Sequence, residues 1–228
     1  MILTNDDGFD APGLEALKMA LRRTGALTVV APDAPQSGIG HRVTTAAQIE
    51  VTRVENNRYR VRGTPADCSR IALKKIAPGS DWLIAGINPG ANLGSDIYHS
   101  GTVAAAREAA ILGCRSIALS QYISAGGTID WQATQHHAGK VLKVLLDRPL
   151  PARHFWNVNL PHPISLNDRL SIEFCGLDTC PHRYDFNIDN DRYLYQGSIH
   201  DRPREPGKDV AVCFDQGNIA VTCIPLGV

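Results

Sequence analysis

"MILTNDDGFDAPGLEALKMALRRTGALTVVAP", residues 1–32, decides how the rest of the chain is read. The apolar run Ile2-Leu3-Thr4 reads as a short strand. Pro12 then falls in the first turn of a helix predicted over 12–23, with Leu14, Leu17 and Leu21 on one face. The β-branched run 27–32 is a second strand, ending at Pro32. Between the first strand and the helix stand Asn5, Asp6, Asp7 and Gly8. Adjacent carboxylates at a strand end repel each other unless something positive lies between them.

Working outward, the alternation continues. "RVTTAAQIEVTRVENNRYRVRG" predicts strands joined by a turn at Asn56-Asn57, and Pro65 opens a helix to about Ile76. Apolar strands follow at 81–88, 116–120 and 154–161, separated by helices at 102–112 and 131–146. This order predicts a three-layer α/β sandwich with a mostly parallel, Rossmann-like sheet as the catalytic core, residues 1–161. In such sheets ligands gather beyond the carboxyl ends of the strands. The polar clusters at 5–7, 33–41 and 88–102 fall there.

From 162 the texture becomes polar, aromatic and turn-rich. The stretch 162–210 is expected to form an extended hairpin arm carrying Phe186, Tyr193, Tyr195 and Ile199. Residues 211–228 then return a final strand to the core. A two-stranded arm is marginal alone, so it is expected to pack on another subunit.

Composition narrows the function classes. Of 228 residues, 43% are hydrophobic and 20% charged, as in ordinary soluble domains. Lys+Arg and Asp+Glu are both 23, which gives no global case for nucleic acid or a membrane surface. No secretory signal or membrane span is visible, so the chain reads as cytoplasmic. The six cysteines are scattered and read as buried free thiols.

The polar clusters carry chemistry. A hard divalent cation removes the repulsion between Asp6 and Asp7 and takes oxygen ligands of this kind. Asp10, just before Ala11-Pro12, is the better helix cap. Ser37, after the neighbouring strand, could complete an oxygen shell. Asn88, directly off a buried strand, offers a neutral amide oxygen suited to Mg²⁺ or Mn²⁺. His41 is open between a phosphate contact, a general acid and a solvated loop histidine, and Asn5 is a further accessory candidate. Ser100-Gly101-Thr102 opens an alanine-rich helix whose free N–H groups and dipole suit an anion. Neither the phosphate loop of nucleotide-fold ATPases nor a dinucleotide-binding glycine pattern occurs. A cation beside a helix start suited to phosphate points to phosphate-ester hydrolysis.

The segments "LTNDDGFDAPG", "VVAPDAPQSGIGH", "GTPADC", "IAGINPGANLGSDIYHSGTVAAAREAAILG", "WNVNLP" and "NIAVTCIPL" together resemble the stationary-phase survival protein SurE family. The resemblance implies a metal-dependent nucleotidase acting on 5′- or 3′-nucleoside monophosphates, with short polyphosphate as a further substrate in some members. It implies one Mg or Mn ion per subunit, held by Asp6, Asp7, Ser37 and Asn88, with Asp6 and Asp7 at the centre of catalysis. Phosphate would be held by Asn92, Ser100, Gly101 and Thr102, and the subunits would form a homodimer or homotetramer.

Two departures stand out. Ala34, Pro35 and Gln36 replace an arginine-rich stretch, and His99 separates Tyr98 from Ser100 where members commonly read I-Y-S-G-T. His99 is expected to form a local bulge without a catalytic role. A non-catalytic metal or nucleotide sensor on the same scaffold is the alternative function. Attack by water and a phosphoaspartyl route both stay open.

Overall fold

The computed structural model describes residues 1–182, 185–197 and 199–227. In chain order its elements are β1 (Ile2–Thr4), α1 (Pro12–Leu21), β2 (Thr28–Pro32), β3 (Val51–Glu55), β4 (Arg58–Val61) and α2 (Pro65–Ile71). Then come β5 (Trp82–Pro89), α3 (Gly101–Ile111), β6 (Arg115–Gln121), α4 (Trp131–Asp147) and β7 (His154–Leu160). The last third holds β8 (Ile172–Phe174), β9 (Phe186–Asp189), β10 (Arg192–Tyr195), α5 (Asp209–Phe214) and β11 (Ile219–Pro225). A π-helical turn, Ala72–Ile76, extends α2, and a 3-10 turn, Gly94–Tyr98, leads into α3.

Nine strands form one sheet in the order β3-β4-β2-β1-β5-β6-β7-β11-β8. Its pairs are parallel except β3–β4 and β7–β11. Side-chain alternation divides the core in two. Leu3, Ile84, Ile117 and Val158 meet α1 and α4 through Leu14, Leu17, Val141 and Leu142 on one face. On the other, Ile2, Val30 and Leu83 meet Cys68 and Ala72 below α2 and Ala105 and Ala109 of α3. Alanines on α3 let it lie close to the sheet, and α5 continues that layer through Val210, Val212 and Cys213. The fold is thus a mostly parallel α/β sandwich.

Three expectations change. Asp10 does not cap α1, whose start at Ala11 has no side-chain cap; its carboxylate takes both hydrogen bonds from Arg60 Nη2, at 2.9 and 2.7 Å, and so ties the loop to β4. The stretch 162–210 is not one arm. Its β8 is an edge strand of the main sheet, parallel to β11, and only β9–β10 projects as a separate two-stranded hairpin. What draws β8 in is apolar contact: Phe174 packs edge-on against Trp156, with ring centroids 5.8 Å apart. Within 211–228, the chain finishes α5 before β11 begins. Of the cysteines, Cys68 and Cys213 are fully buried and the other four partly exposed, all as free thiols.

Phe186, Ile188, Tyr193, Leu194 and Tyr195 on the hairpin are all exposed. The side chain of Ile199 lies outside the described residues.

Candidate active site

The site lies at the carboxyl ends of β1, β2 and β5, which neighbour one another in the sheet. After β1 the chain turns at Gly8, whose φ of +104° suits a residue without a Cβ. A methyl there would also stand 3.4 Å from the Ala34 carbonyl carbon. The turn is tied at several points. Asn5 Nδ2 donates to Gly8 O at 2.9 Å, Phe9 N to Pro32 O at 2.8 Å, and Gln36 N to Asp6 O at 2.7 Å. The last bond fastens the loop carrying Ser37 to the loop carrying the carboxylates. Phe9 is clamped between the guanidinium groups of Arg58 and Arg60, 4.7 and 4.4 Å from its ring centre. In β5, the register against β6 shifts between Ala85 and Asn88, and this irregularity re-aims the strand end.

These elements bring Asp6, Asp7, Ser37, Asn88, Asn92 and Ser100 to the wall of one cavity of about 280 Å³. Asp96 and His99 share that wall. Asn88 Nδ2 donates to Gly90 O at 2.7 Å, which leaves its amide oxygen for other partners. Asn92 sits on a neutral polar floor: its Nδ2 donates to Ser120 Oγ at 2.8 Å, and its carbonyl accepts from Asn157 and Asn159. Ser100 caps α3 by accepting from Val103 N at 3.1 Å, and its hydroxyl hydrogen is not consumed by that bond.

Thr102 is placed differently from the reading that set it on phosphate. Fully buried, it donates its hydroxyl to Asp6 Oδ1. Gly101 lies against the same carboxylate; a Cβ there would stand 2.8 Å from Asp6 Cβ and 2.9 Å from Oδ2. The start of α3 therefore cradles Asp6. Neither Asn5 nor His41 reaches the cavity wall. Asn5 is fully buried and shapes the turn. His41 Nε2 sits 2.8 Å from Glu108 Oε2, while Arg70 Nε donates to Glu108 Oε1 at 2.6 Å. His99 forms no bulge; it closes the 3-10 turn, donating its N–H to Asp96 O at 3.0 Å, and lines the cavity.

Asp96 is the residue that sequence reasoning missed. Arg202 Nη1 donates to its Oδ2 at 2.6 Å and His182 Nε2 lies 3.0 Å from its Oδ1. Buried Asp209 accepts from Gly94 N at 2.9 Å and Asp178 N at 2.8 Å, anchoring the same turn. The contacts that tie this turn to Arg202, His182 and Asp209 span 106, 86 and 115 residues of chain and leave no local signal, apart from Asp96 standing in the "GSDIY" run.

Electrostatically the carboxylate pair is short of positive charge. Burial holds the Asp6 carboxyl above its ordinary 3.8, although the Thr102 hydroxyl and the amides of Asp6, Thr102 and Gly101 pull the other way. Burial, and then the charge of Asp6, push Asp7 up to about 7. Asp7 Oδ2 is buried with no hydrogen-bond partner among the described residues. Among the described residues, no group of three or more His, Cys, Asp or Glu side chains is arranged to hold a metal ion by itself. The set here is instead two carboxylates with neutral hydroxyl and amide oxygens, which suits a hard cation that keeps part of its water shell.

Comparisons with known proteins place the chain in a family. A family model described as Survival protein SurE matches residues 1–181. A Synechocystis sp. protein named "Putative 5'-nucleotidase alr3139" is 49% identical over 221 residues, 97% of each chain. "5'-nucleotidase SurE" of Geobacter sulfurreducens is 41% identical over 162 residues, 71% of this chain and 62% of that protein. The crystal structure of the SurE protein from Aquifex aeolicus superposes with a TM-score of 0.85 at 32% identity, over 100% of this chain and 93% of that one. On sequence and fold together, this chain belongs to the SurE family.

Proposed function

We propose that the chain is a divalent-metal-dependent phosphomonoesterase of the cytoplasm that hydrolyses nucleoside monophosphates to nucleoside and phosphate. Family identity supports phosphomonoesterase activity, and the names of the relatives support the nucleotide substrate. The observation that carries the reading is the buried, partnerless Asp7 Oδ2 beside Asp6 in a cavity that also presents Ser37 and Asn88. Adjacent acids, one buried and one half-buried with an oxygen left without a hydrogen-bond partner, suit a bound cation. One Mg or Mn ion would be held there by Asp6, Asp7, Ser37 and Asn88. When bound, it supplies Lewis acidity toward a phosphoryl oxygen and toward water.

The protein's own groups do the rest. Thr102 and the first amides of α3 fix Asp6 in one orientation. Asn92 has one amide hydrogen beyond its bond to Ser120, and Ser100 has its hydroxyl hydrogen; both residues line the cavity and can hold phosphate oxygens. The α3 dipole adds positive potential at the same place. The floor of Asn157, Asn159 and Ser120 locks Asn92 without adding charge. The exposed hairpin would join subunits into a homodimer or homotetramer.

Phosphate release from adenosine 5′- and 3′-monophosphates and short polyphosphate, with Mn²⁺, Mg²⁺ or chelator, tests the reading. Metal-dependent release is expected. Binding of nucleotide without turnover under every metal would mark a sensor instead.

A further inference from the structure

Ser37, the hydroxyl of the proposed ion site, stands where precision is hard to keep. It is exposed, in a loop where Gly38 and Gly40 both take positive φ, +71° and +60°. Such a stretch has many conformations open to it, and holding one costs entropy. A ligand serves an ion only when it is fixed relative to the other ligands. On the near side of Ser37, Gln36 N donates to Asp6 O at 2.7 Å. On the far side stands His41.

His41 is partly buried between two side chains of α3. Its Nε2 lies 2.8 Å from Glu108 Oε2, and its Nδ1 lies 3.4 Å from Arg107 Nη1. A guanidinium only donates, so Nδ1 turns its lone pair to Arg107 and Nε2 carries the hydrogen given to Glu108. Both neighbours are themselves held. Glu108 is 3% exposed and takes a second bond from Arg70 Nε, while Arg107 Nη2 donates to Ile97 O at 2.8 Å, in the turn before α3. Gly40 N adds a backbone tie to His99 O at 3.1 Å. Beyond His41 the chain passes to α2, where Thr64 Oγ1 donates to Arg42 O at 2.7 Å.

The helix that His41 grips is the one that matters. The start of α3, at Gly101 and Thr102, cradles Asp6. Glu108 lies about 9 Å further along the same helix. One rigid element therefore fixes a carboxylate of the site at its start and, through His41, the loop bearing the hydroxyl further on. Building on the ion site proposed above, we propose that His41 is a positioning residue, which sets from α3 where Ser37 stands relative to Asp6. It does not line the cavity, so it acts through the loop and not on the ion or the substrate.

The test uses the full chain as wild type, His41→Leu and His41→Gln. Leucine fills space without a hydrogen bond, whereas the glutamine amide offers both a donor and an acceptor. Mn²⁺ affinity by calorimetry should fall about tenfold in His41→Leu, the lower end of what losing a supporting contact costs a metal site, and His41→Gln should recover it. Hydrogen exchange in chelator reads the loop without any ion. The Gln36 and Gly40 amides should exchange faster in His41→Leu, beyond any change shared with the core amides of β6.

A wild type that binds no Mn²⁺ would sink the ion site alone, and exchange at Gln36 and Gly40 would still decide whether His41 holds the loop. Unchanged exchange at those two amides overturns the proposal with or without a metal. So does unchanged Mn²⁺ affinity in His41→Leu beside a wild type that binds the ion, even where the urea midpoint falls, because His41 would then serve stability only. A His41→Gln variant as weak as His41→Leu overturns it too, since the hydrogen bonds would not be what places the loop.

Discussion

Asp7→Asn offers the most demanding test of the ion site, because it should make the metal-free protein more stable while destroying its activity. Below about pH 4, Asp7 is protonated in both the folded and the unfolded chain, and the substitution changes little. Between 3.8 and about 7 the folded chain keeps the proton that the unfolded chain has lost. Metal-free wild type therefore loses stability as pH rises through this window, and the loss is complete above about 7. Each pH unit of the interval carries about 1.4 kcal/mol, or about 4 in all. Asp7 is partly open to water, and screening reduces the expected effect to about 2 kcal/mol. Asparagine does not ionise and has no such slope. Urea unfolding in chelator from pH 4 to 8 should show wild type and Asp7→Asn diverging from equality to about 2 kcal/mol in favour of the variant. Mn²⁺ at a hundredfold over its Kd should then add about 2.7 kcal/mol to the wild type and leave the variant unmoved. A variant less stable than wild type at pH 8 in chelator would refute the argument, because Asp7 would then be contributing a favourable contact rather than an uncompensated charge.

Other predictions follow from the same contacts. Thr102→Val removes the hydrogen bond that holds Asp6, and Mn²⁺ affinity by calorimetry should drop about ten- to hundredfold, as for a hydrogen bond to a charged group; weakened phosphate inhibition with unchanged Mn²⁺ affinity would show that Thr102 serves phosphate. Glu108 is held below its ordinary 4.5 first by the His41 hydrogen bond and then, against burial, by Arg70, so its contribution is present above that value and lost as pH falls through the depressed pKa. Glu108→Gln should accordingly be about 1–3 kcal/mol less stable at pH 7 and converge with wild type in acid; parallel profiles would exclude this account. Asp209→Ala strands the buried amides of Gly94 and Asp178 and should lower stability by about 3 kcal/mol or more in urea, with an unchanged midpoint as the refuting result. Light scattering at micromolar concentration should give two or four times the mass of one chain, and the mass of a single chain would remove the hairpin's role in assembly.

The strand-and-helix alternation was legible because β1, β2, β5, β6 and β7 are buried on both faces and read as apolar runs, and the polar clusters had to fall at their ends. The cavity residues Asp6, Asp7, Ser37 and Asn88 were legible for that reason. The part that was not legible depends on distance along the chain. Asp178, Arg202 and Asp209 stand in polar, turn-rich sequence that looks solvated, yet they are buried because they complete one another and the turn at Gly94. Strand β8 was hidden because three residues carry too little periodicity to be told from loop. Thr102 was misplaced by a sound local argument. A hydroxyl at a helix start does point at an anion, and here that anion is the protein's own Asp6.

The ties around Gly8 have a consequence in time rather than in energy. Asn5, Phe9, Gln36 and the Arg58–Arg60 clamp hold the backbone of the carboxylate loop without help from any ion. This part of the candidate site is therefore formed before any cation arrives. Exchange of the proposed ion would then be limited by the shedding of its own water and by the strength of its contacts rather than by ordering of this loop. For the cation proposed here, occupancy would then follow the surrounding ion concentration without a conformational lag, so a change in supply would reach the candidate site as quickly as the ion itself could enter it.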